Sequence, residues 1–279
     1  MAQFTDLAAR PLYEPIAAWL RVFDGKALPD ATALNGALAM LALPPQAASG
    51  VPIRFVPPGK DAAYEERVYA LGEVETRADN WHDFFNALAW LAYPLTKRVL
   101  NGRHHAALMA QRAAGSRARG AMRDAITQFD ECGIVVASAS PALVGLIRGH
   151  EWKRLFWAHR AELARDMRFF VFGHATWDQL RAPFVGLTAK AVFLEADAAW
   201  LAQPFARQVA AVDRRLAEIF SRHDAYAKPR DFQPLPLLGI PGVVAENACA
   251  SYYDDTRQFR PRRKEKGPAE AGPEMEAEV

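Results

Sequence analysis

Three short segments carry the side chains that acid–base and metal chemistry require. In Arg77-Ala-Asp-Asn80-Trp81-His82-Asp83-Phe84-Phe85-Asn86, a helix that begins at Asn80 sets His82 and Asn86 one turn apart on a shared face. An imidazole presented in that way serves as a metal ligand or a general base, with Asn86 orienting it and Asp83 beside it. The structural alternative is that Asn80 and Asp83 cap the helix while His82 meets a local backbone group. In Arg123-Asp124-Ala-Ile-Thr127-Gln-Phe-Asp130-Glu131, residues Arg123, Thr127 and Asp130 follow one helical face. The paired carboxylates Asp130 and Glu131 sit where a helix enters a buried strand. Such pairs bind a divalent cation or divide acid and base roles. The competing reading is an exposed ion bridge to Arg123, worth about 0–1 kcal/mol.

The third segment, Phe169-Phe170-Val171-Phe172-Gly173-His174, reads as a strand with Gly-His at its carboxyl end. Ligand groups gather at strand ends in sheets flanked by helices; a histidine bonded to a backbone carbonyl is the plain alternative. Together His82, His174, Asp130 and Glu131 make a nitrogen and oxygen set suited to a divalent metal, although their spacings match no metal motif. The phosphate loop, the dinucleotide fingerprint, the nucleophile elbow and the H-E-x-x-H helix are all absent. A fourth feature is a charge gap. Between Phe84 and Arg123 there is no Asp or Glu, while Lys97, Arg98, Arg103, Arg112, Arg117, Arg119 and Arg123 occur, with His104-His105 among them. A basic surface of this kind attracts phosphate-bearing ligands, with Arg77, Lys97 and Arg123 as the cations to hold a phosphate. Balanced by acids elsewhere, the same run is a solvated helix face. It offers no aromatic platform or recognition helix, so sequence-specific reading of nucleic acid is not expected.

Punctuation along the chain sets the elements that must position these groups. Residues 12–23 and 31–43 read as two amphipathic helices, the second stopped by Pro44-Pro45. An extended piece, Ile53 to Val56, lies in a Pro/Gly-rich connection, and Tyr64 to Arg77 reads as irregular or hairpin structure. Asn80 caps the next helix, with Asp83 completing a capping-box variant. Pro94 starts another helix that runs to about Ala114, and a third spans Ala121 to Glu131. Gly133 stands there as its left-handed cap. Ile134 to Ala139 is apolar and β-branched, hence a buried strand. Further helices follow at Ser140 to Gly149 and Glu151 to Arg165. Strands are expected at Arg168 to Phe172 and Lys190 to Leu194, separated by a short helix, Thr176 to Leu180. A long helix, Asp197 to His223, breaks near Pro204 and carries an apolar stripe of Val209, Val212, Leu216 and Phe220 for the core. Beyond Lys228, prolines and glycines exclude regular elements, yet Leu235, Leu237, Leu238, Ile240, Val243 and Val244 are too apolar for a free tail. They imply an arm across the domain. Residues 262–279 are low in complexity and expected to be disordered.

The chain resembles a mainly proteobacterial family of uncharacterised proteins that carry one domain of unknown function. The resemblance rests on Tyr64-Glu65, Gly72 through Arg77, Asn80 through Leu88, Pro94, Lys97 and Asn101. It continues through Arg123-Asp124, Phe129 through Gly133, Trp152, Phe172-Gly173-His174, Gly186-Leu187-Thr188 and Leu238 through Gly242. It implies a single domain and brings no activity, cofactor or partner.

With 51% hydrophobic and 24% charged residues the chain can bury a sizeable core, and a net charge of +2 implies no polyanionic partner. Two cysteines, Cys132 and Cys249, cannot build a disulfide framework and fit a reducing cytosol. The N-terminus lacks the pattern of a secretory signal. The longest uncharged apolar-rich stretch, Phe84 to Thr96, is too short for a bilayer, which needs about 20 residues. These observations lead to an α+β, helix-rich single domain around a small mixed sheet. It comprises a helical pair (12–43), a core (53–223) and a wrapping arm (229–261), so that residues 1–261 form one globular unit. Three functional readings follow. The first is a hydrolase-type enzyme, with metal assistance as one form of it, and with catalytic His82, Asp83, Asn86, Asp130, Glu131 and His174. The second is a non-catalytic binder of a phosphate-bearing ligand or nucleic acid through residues 97–123, and the third is a scaffold. The enzyme leads. A small-molecule ligand and a divalent metal are compatible with it, and the substrate and oligomeric state stay open.

Overall fold

Apolar periodicity, broken by proline and glycine, sets the order of elements in the computed structural model. It is described for residues 4–23, 25, 27–59, 64–115 and 120–262. Helices α1 (Phe4–Ala8), α2 (Ala17–Val22) and α3 (Ala31–Ala39) come first. A small parallel pair follows, β1 (Arg54–Val56) and β2 (Glu73–Glu75), with helix α4 (Tyr64–Leu71) between its strands. Three longer helices come next: α5 (Trp81–Ala92), α6 (Pro94–Ala113) and α7 (Ala121–Cys132). The second half alternates strands and helices: β3 (Gly133–Ser138), α8 (Pro141–Arg148), α9 (Arg160–Asp166), β4 (Met167–Val171) and α10 (His174–Gln179). It closes with β5 (Thr188–Glu195), α11 (Ala198–Leu201), α12 (Phe205–Ser221) and β6 (Gln233–Pro236).

The main sheet has strand order β4-β3-β5-β6. Every residue of the central strand β3 is buried, as expected of an apolar run covered on both faces. It pairs antiparallel with β4 (Ile134↔Val171) and parallel with β5 (Ile134↔Ala191). Strand β6 lies antiparallel to β5 at the edge, where Pro234 and Pro236 cost no central ladder bond. This is the expected α+β architecture around a small mixed sheet, and the Val209, Val212, Leu216 and Phe220 stripe of α12 is buried in its core. No helix among the described residues is long and apolar enough to cross a membrane.

Five local expectations are corrected. The segment after Lys228 is not free of regular elements: Gln233–Pro236 forms β6, because its prolines fall at a sheet edge where no ladder donor is lost. Tyr64–Leu71 is a helix, not a hairpin, and the extended residues after it pair in parallel with β1. Asp83 does not complete a capping box. Asn80 Oδ1 accepts from Asp83 N at 2.9 Å, but the Asp83 carboxylate turns to the backbone and guanidinium of Arg77. Gly133 is extended, with φ −71° and ψ 143°, rather than left-handed. Its lack of a side chain answers crowding instead: a Cβ there would lie 2.4 Å from Phe129 O. The first predicted helix, residues 12–23, is a 3₁₀ turn (Glu14–Ile16) followed by α2. Arg117, Arg119 and the tail beyond Arg262 lie outside the described residues.

Candidate metal centre

Each of the three segments delivers its candidate side chain at the end of an element. Asn80 fixes the first turn of α5 and so the position of His82, the second residue of the helix. Glu131 stands in the last turn of α7, just before β3. His174 is the first residue of α10, where the chain leaves β4. The α7–β3 and β4–α10 junctions touch backbone to backbone. Gly173 N donates to Gly133 O at 2.9 Å, and a Cβ on Gly173 would lie 2.4 Å from both Glu131 O and Gly133 N. Only glycine allows this approach, which brings Glu131 beside His174.

Three donor atoms converge as a result. His82 Nε2 and His174 Nε2 are 3.2 Å apart; Glu131 Oε2 lies 3.5 Å from His174 Nε2 and 3.8 Å from His82 Nε2. These are edges of a small triangle. The point equidistant from its corners is about 2.0 Å from each atom, the length of a bond from Zn²⁺ to nitrogen or carboxylate oxygen. Among the described residues this is the one cluster of histidine, cysteine and carboxylate donors with such spacing. The two imidazole nitrogens are within hydrogen-bonding distance of each other, and the Glu131 carboxylate stands at matching distance from both.

Burial dominates the electrostatics of His174. It is 3% exposed, and burial pushes its pKa down to about 3, against the pull of the Asp130 carboxylate. The Lys97 and His82 charges act in the same direction as burial. The ring is therefore neutral at any physiological pH. Its Nδ1 faces the Asp130 carboxylate, 3.9 Å away, without a hydrogen bond to it, and its Nε2 is turned to His82 and Glu131. Glu131 is pushed up by burial and by Asp130; a divalent cation between the three donors would reverse that shift.

Asp130 stands one step behind. Burial alone would raise its pKa, but Lys97 and His174 pull it below the usual carboxylate value. Lys97 is 4% exposed; its Nζ donates to Asp130 Oδ1 and Oδ2 at 2.6 and 2.9 Å and to Asn86 Oδ1 at 2.9 Å. Asn86 Nδ2 in turn donates to the Tyr64 hydroxyl at 2.9 Å.

A cleft of about 510 Å³ opens over the triangle. His82, Asp83, Asn86, Asp130, Glu131 and His174 all line it, as does Arg77. Of the cations assigned to phosphate, Arg77 is committed to Asp83 through Nε and Nη2, both at 2.8 Å. Lys97 lies beneath Asp130, and Arg123 is outside the cleft, donating to Gln111 Oε1 at 2.6 Å. Elsewhere in the basic segment, Arg103 is buried and donates to the carbonyls of His223 and Ala225, and Arg112 pairs with Glu66. Sequence reasoning missed Tyr64, Glu65 and His104 as cleft residues. Tyr64 and Val68 are one helical turn apart, a signal hidden when the segment is taken as irregular. Thr127 also lines the cleft, on the helical face that it shares with Asp130.

A family model described as "Protein of unknown function (DUF3025)" matches residues 53–263. The chain belongs to that family, and the match contains every residue of the triangle. No curated protein and no solved structure matches the chain.

Proposed function

We propose that this DUF3025 protein is a metal-dependent hydrolase whose mononuclear centre is held by His82, Glu131 and His174. The observation that supports this reading is the triangle of donor atoms, with edges of 3.2, 3.5 and 3.8 Å. Three protein ligands leave one position of a tetrahedral ion free, the hallmark of catalytic rather than structural zinc. The cleft that the three donors line would give water access to such a position. A bound divalent ion would lower the pKa of such a water to about 7 and polarise a substrate oxygen. The protein's part is to hold two imidazoles and a carboxylate at ligand spacing. Asp130 stands behind His174, and Lys97 keeps Asp130 ionised. The cleft volume, about 510 Å³, falls in the range of small-molecule sites. Two free cysteines, Cys132 and Cys249, accord with work in the reducing cytosol.

Elemental analysis of the purified chain tests the reading. We expect one divalent ion per chain, lost in His174→Ala and in Glu131→Gln with a cooperative thermal transition retained. Protein that carries no metal and shows no thermal shift with Zn²⁺, Mn²⁺, Fe²⁺ or Co²⁺ would refute the centre. Two histidines and a carboxylate also suit Fe²⁺ in oxygen chemistry, so iron with oxygen-dependent turnover would keep the centre and overturn the hydrolase.

A further inference from the structure

The hydrogen bonds that run from Asp130 to Tyr64 have a fixed direction. Lys97 carries an ammonium, which only donates, so the Asn86 atom facing it at 2.9 Å is the carbonyl oxygen. The other end of the same amide is then its NH₂, which donates to the Tyr64 oxygen at 2.9 Å. Tyr64 accepts at that contact, and its own hydrogen must point elsewhere. Among the described residues no acceptor is recorded for it, and Tyr64 lines the cleft that holds the donor triangle. Burial, reinforced by Glu65, raises the Tyr64 pKa, so the hydroxyl keeps its proton.

From this chain of contacts we infer that Tyr64 is a catalytic residue, the neutral hydrogen-bond donor to the substrate oxygen on which negative charge develops. Asn86 and Lys97 are the positioning residues that aim it. Tyr64 can play this part only if the metal centre proposed above exists. The substrate class follows from the walls. Of the carboxylates that line the cleft, Asp83 is paired with Arg77, Asp130 with Lys97 and Glu75 with Arg67, while Glu131 belongs to the candidate centre. With these cations committed, the described walls offer no free Lys or Arg to hold a phosphate, and the cleft suits an uncharged carboxylic ester or amide. The oxygen of a water would form a bond to the carbonyl carbon, activated by the ion that His82, Glu131 and His174 would hold, and the π pair would move onto the carbonyl oxygen, which would accept the Tyr64 hydrogen bond without proton transfer. That pair then re-forms the C=O bond. The leaving group departs with the electrons of its bond to carbon and takes up a proton released by the water. A neutral donor aimed at the developing charge avoids reorganisation during the reaction.

The test uses full-length protein loaded with Co²⁺ and acetohydroxamate, a small carbonyl compound that is neutral as the free acid and binds metals through its two oxygens on losing one proton, with the cobalt visible bands as readout. Tyr64→Phe should weaken acetohydroxamate binding about tenfold, the scale of one hydrogen bond to a charged group, and leave Co²⁺ affinity unchanged. Placing 3-fluorotyrosine at position 64 by nonsense suppression, which makes the hydroxyl a stronger donor and preserves the ring, should tighten binding. Inorganic phosphate should compete poorly. Cobalt bands with equal acetohydroxamate affinity in all three proteins would overturn the role of Tyr64 and spare the metal. Failure of the wild-type chain to bind Co²⁺ would remove both. Should Tyr64→Phe fail to fold, the fluorinated protein decides alone: tighter binding supports the donor, and unchanged or weaker binding overturns it. Strong competition by phosphate would overturn the substrate class.

Discussion

Lys97 is the residue on which the candidate centre depends without belonging to it. Its ammonium is buried between Asp130 and Asn86 and lies 5.4 Å from the centre of the Trp90 ring. Removing one member of a buried pair leaves its partner charged and unsolvated, a loss of about 3–5 kcal/mol. We therefore expect Lys97→Met to lower stability by that amount in urea titrations. Lys97→Met combined with Asp130→Asn should lose clearly less than the two single changes together, because the stranded carboxylate is gone. Additive losses would mean that the pair is not coupled. At this scale the sequence was informative for His82, Asp130, Glu131 and His174, because each stands beside a cap, a Gly or a strand boundary that places it at an element end. Lys97 gave no such sign. In sequence it is one cation within a basic run, and only the fold shows that it faces inward. Tyr64 was hidden for a related reason: its role depends on a chain of donors spread over α4, α5 and α6.

At the scale of elements, two junctions decide whether the triangle forms. The first is the backbone contact at Gly173. Ala there would put a methyl carbon 2.4 Å from Glu131 O and from Gly133 N, and backbone cannot yield as a flexible side chain can. Gly173→Ala should cost about 1–3 kcal/mol as an overpacked site and lower metal affinity together with stability, since it separates the elements bearing Glu131 and His174. Retention of full metal content with an unchanged thermal midpoint would show that the junction does not set the triangle. The second junction is the start of α6, where Asp213 of α12 accepts from the backbone of Leu95 and Thr96 at 3.0 and 2.8 Å and from Thr96 Oγ1 at 2.7 Å. This is helix capping supplied from another helix, and it locks α6 to the core. Asp213→Ala should cost about 2 kcal/mol, the upper range for a lost cap, in thermal or urea unfolding; a change below about 0.5 kcal/mol, within the range of ordinary surface substitutions, would contradict it. Local signals read most helices and all three strands expected in the main sheet because those elements carry clear periodicity and punctuation. They could not supply the capping from Asp213. Nor could they reveal the helix at Tyr64–Leu71, which buries only Val68 fully and so carries no apolar stripe. Gly133 shows the same limit: a helix-end glycine suggested a left-handed cap, while its true constraint is tertiary crowding.

For the molecule as a whole, the segment after Lys228 is part of the fold. Its prolines and glycines with large aliphatics suggested an arm, and the structure gives that arm three functions. β6 covers the open edge of β5, pairing Leu235 with Ala189, which removes an exposed template for aggregation. Phe232, Leu235, Leu237, Leu238 and Ile240 are each at most 5% exposed, and Phe232 stacks on Phe129 of α7, the helix that ends at the candidate site. Farther on, Asn247 donates to the carbonyls of Leu238 and Ile240 at 3.0 and 2.7 Å. Trp152 Nε1 donates to Arg260 O at 2.8 Å, tying the end of the arm back to the middle of the chain. We propose accordingly that the arm and core fold as one unit. Full burial of each such side chain contributes about 1.5–3 kcal/mol, so losing all of them equals or exceeds the usual net stability of about 5–15 kcal/mol. Truncation after Lys228 should therefore abolish cooperative unfolding and leave aggregating protein without bound metal. Truncation after Arg262 removes none of these contacts and should shift the thermal midpoint by no more than about 2 °C, the effect of less than 1 kcal/mol in a domain of this size. Calorimetry of the two shortened chains distinguishes the outcomes. A single cooperative transition at the wild-type temperature after the cut at Lys228 would show that the core stands alone and that the arm is an appendage.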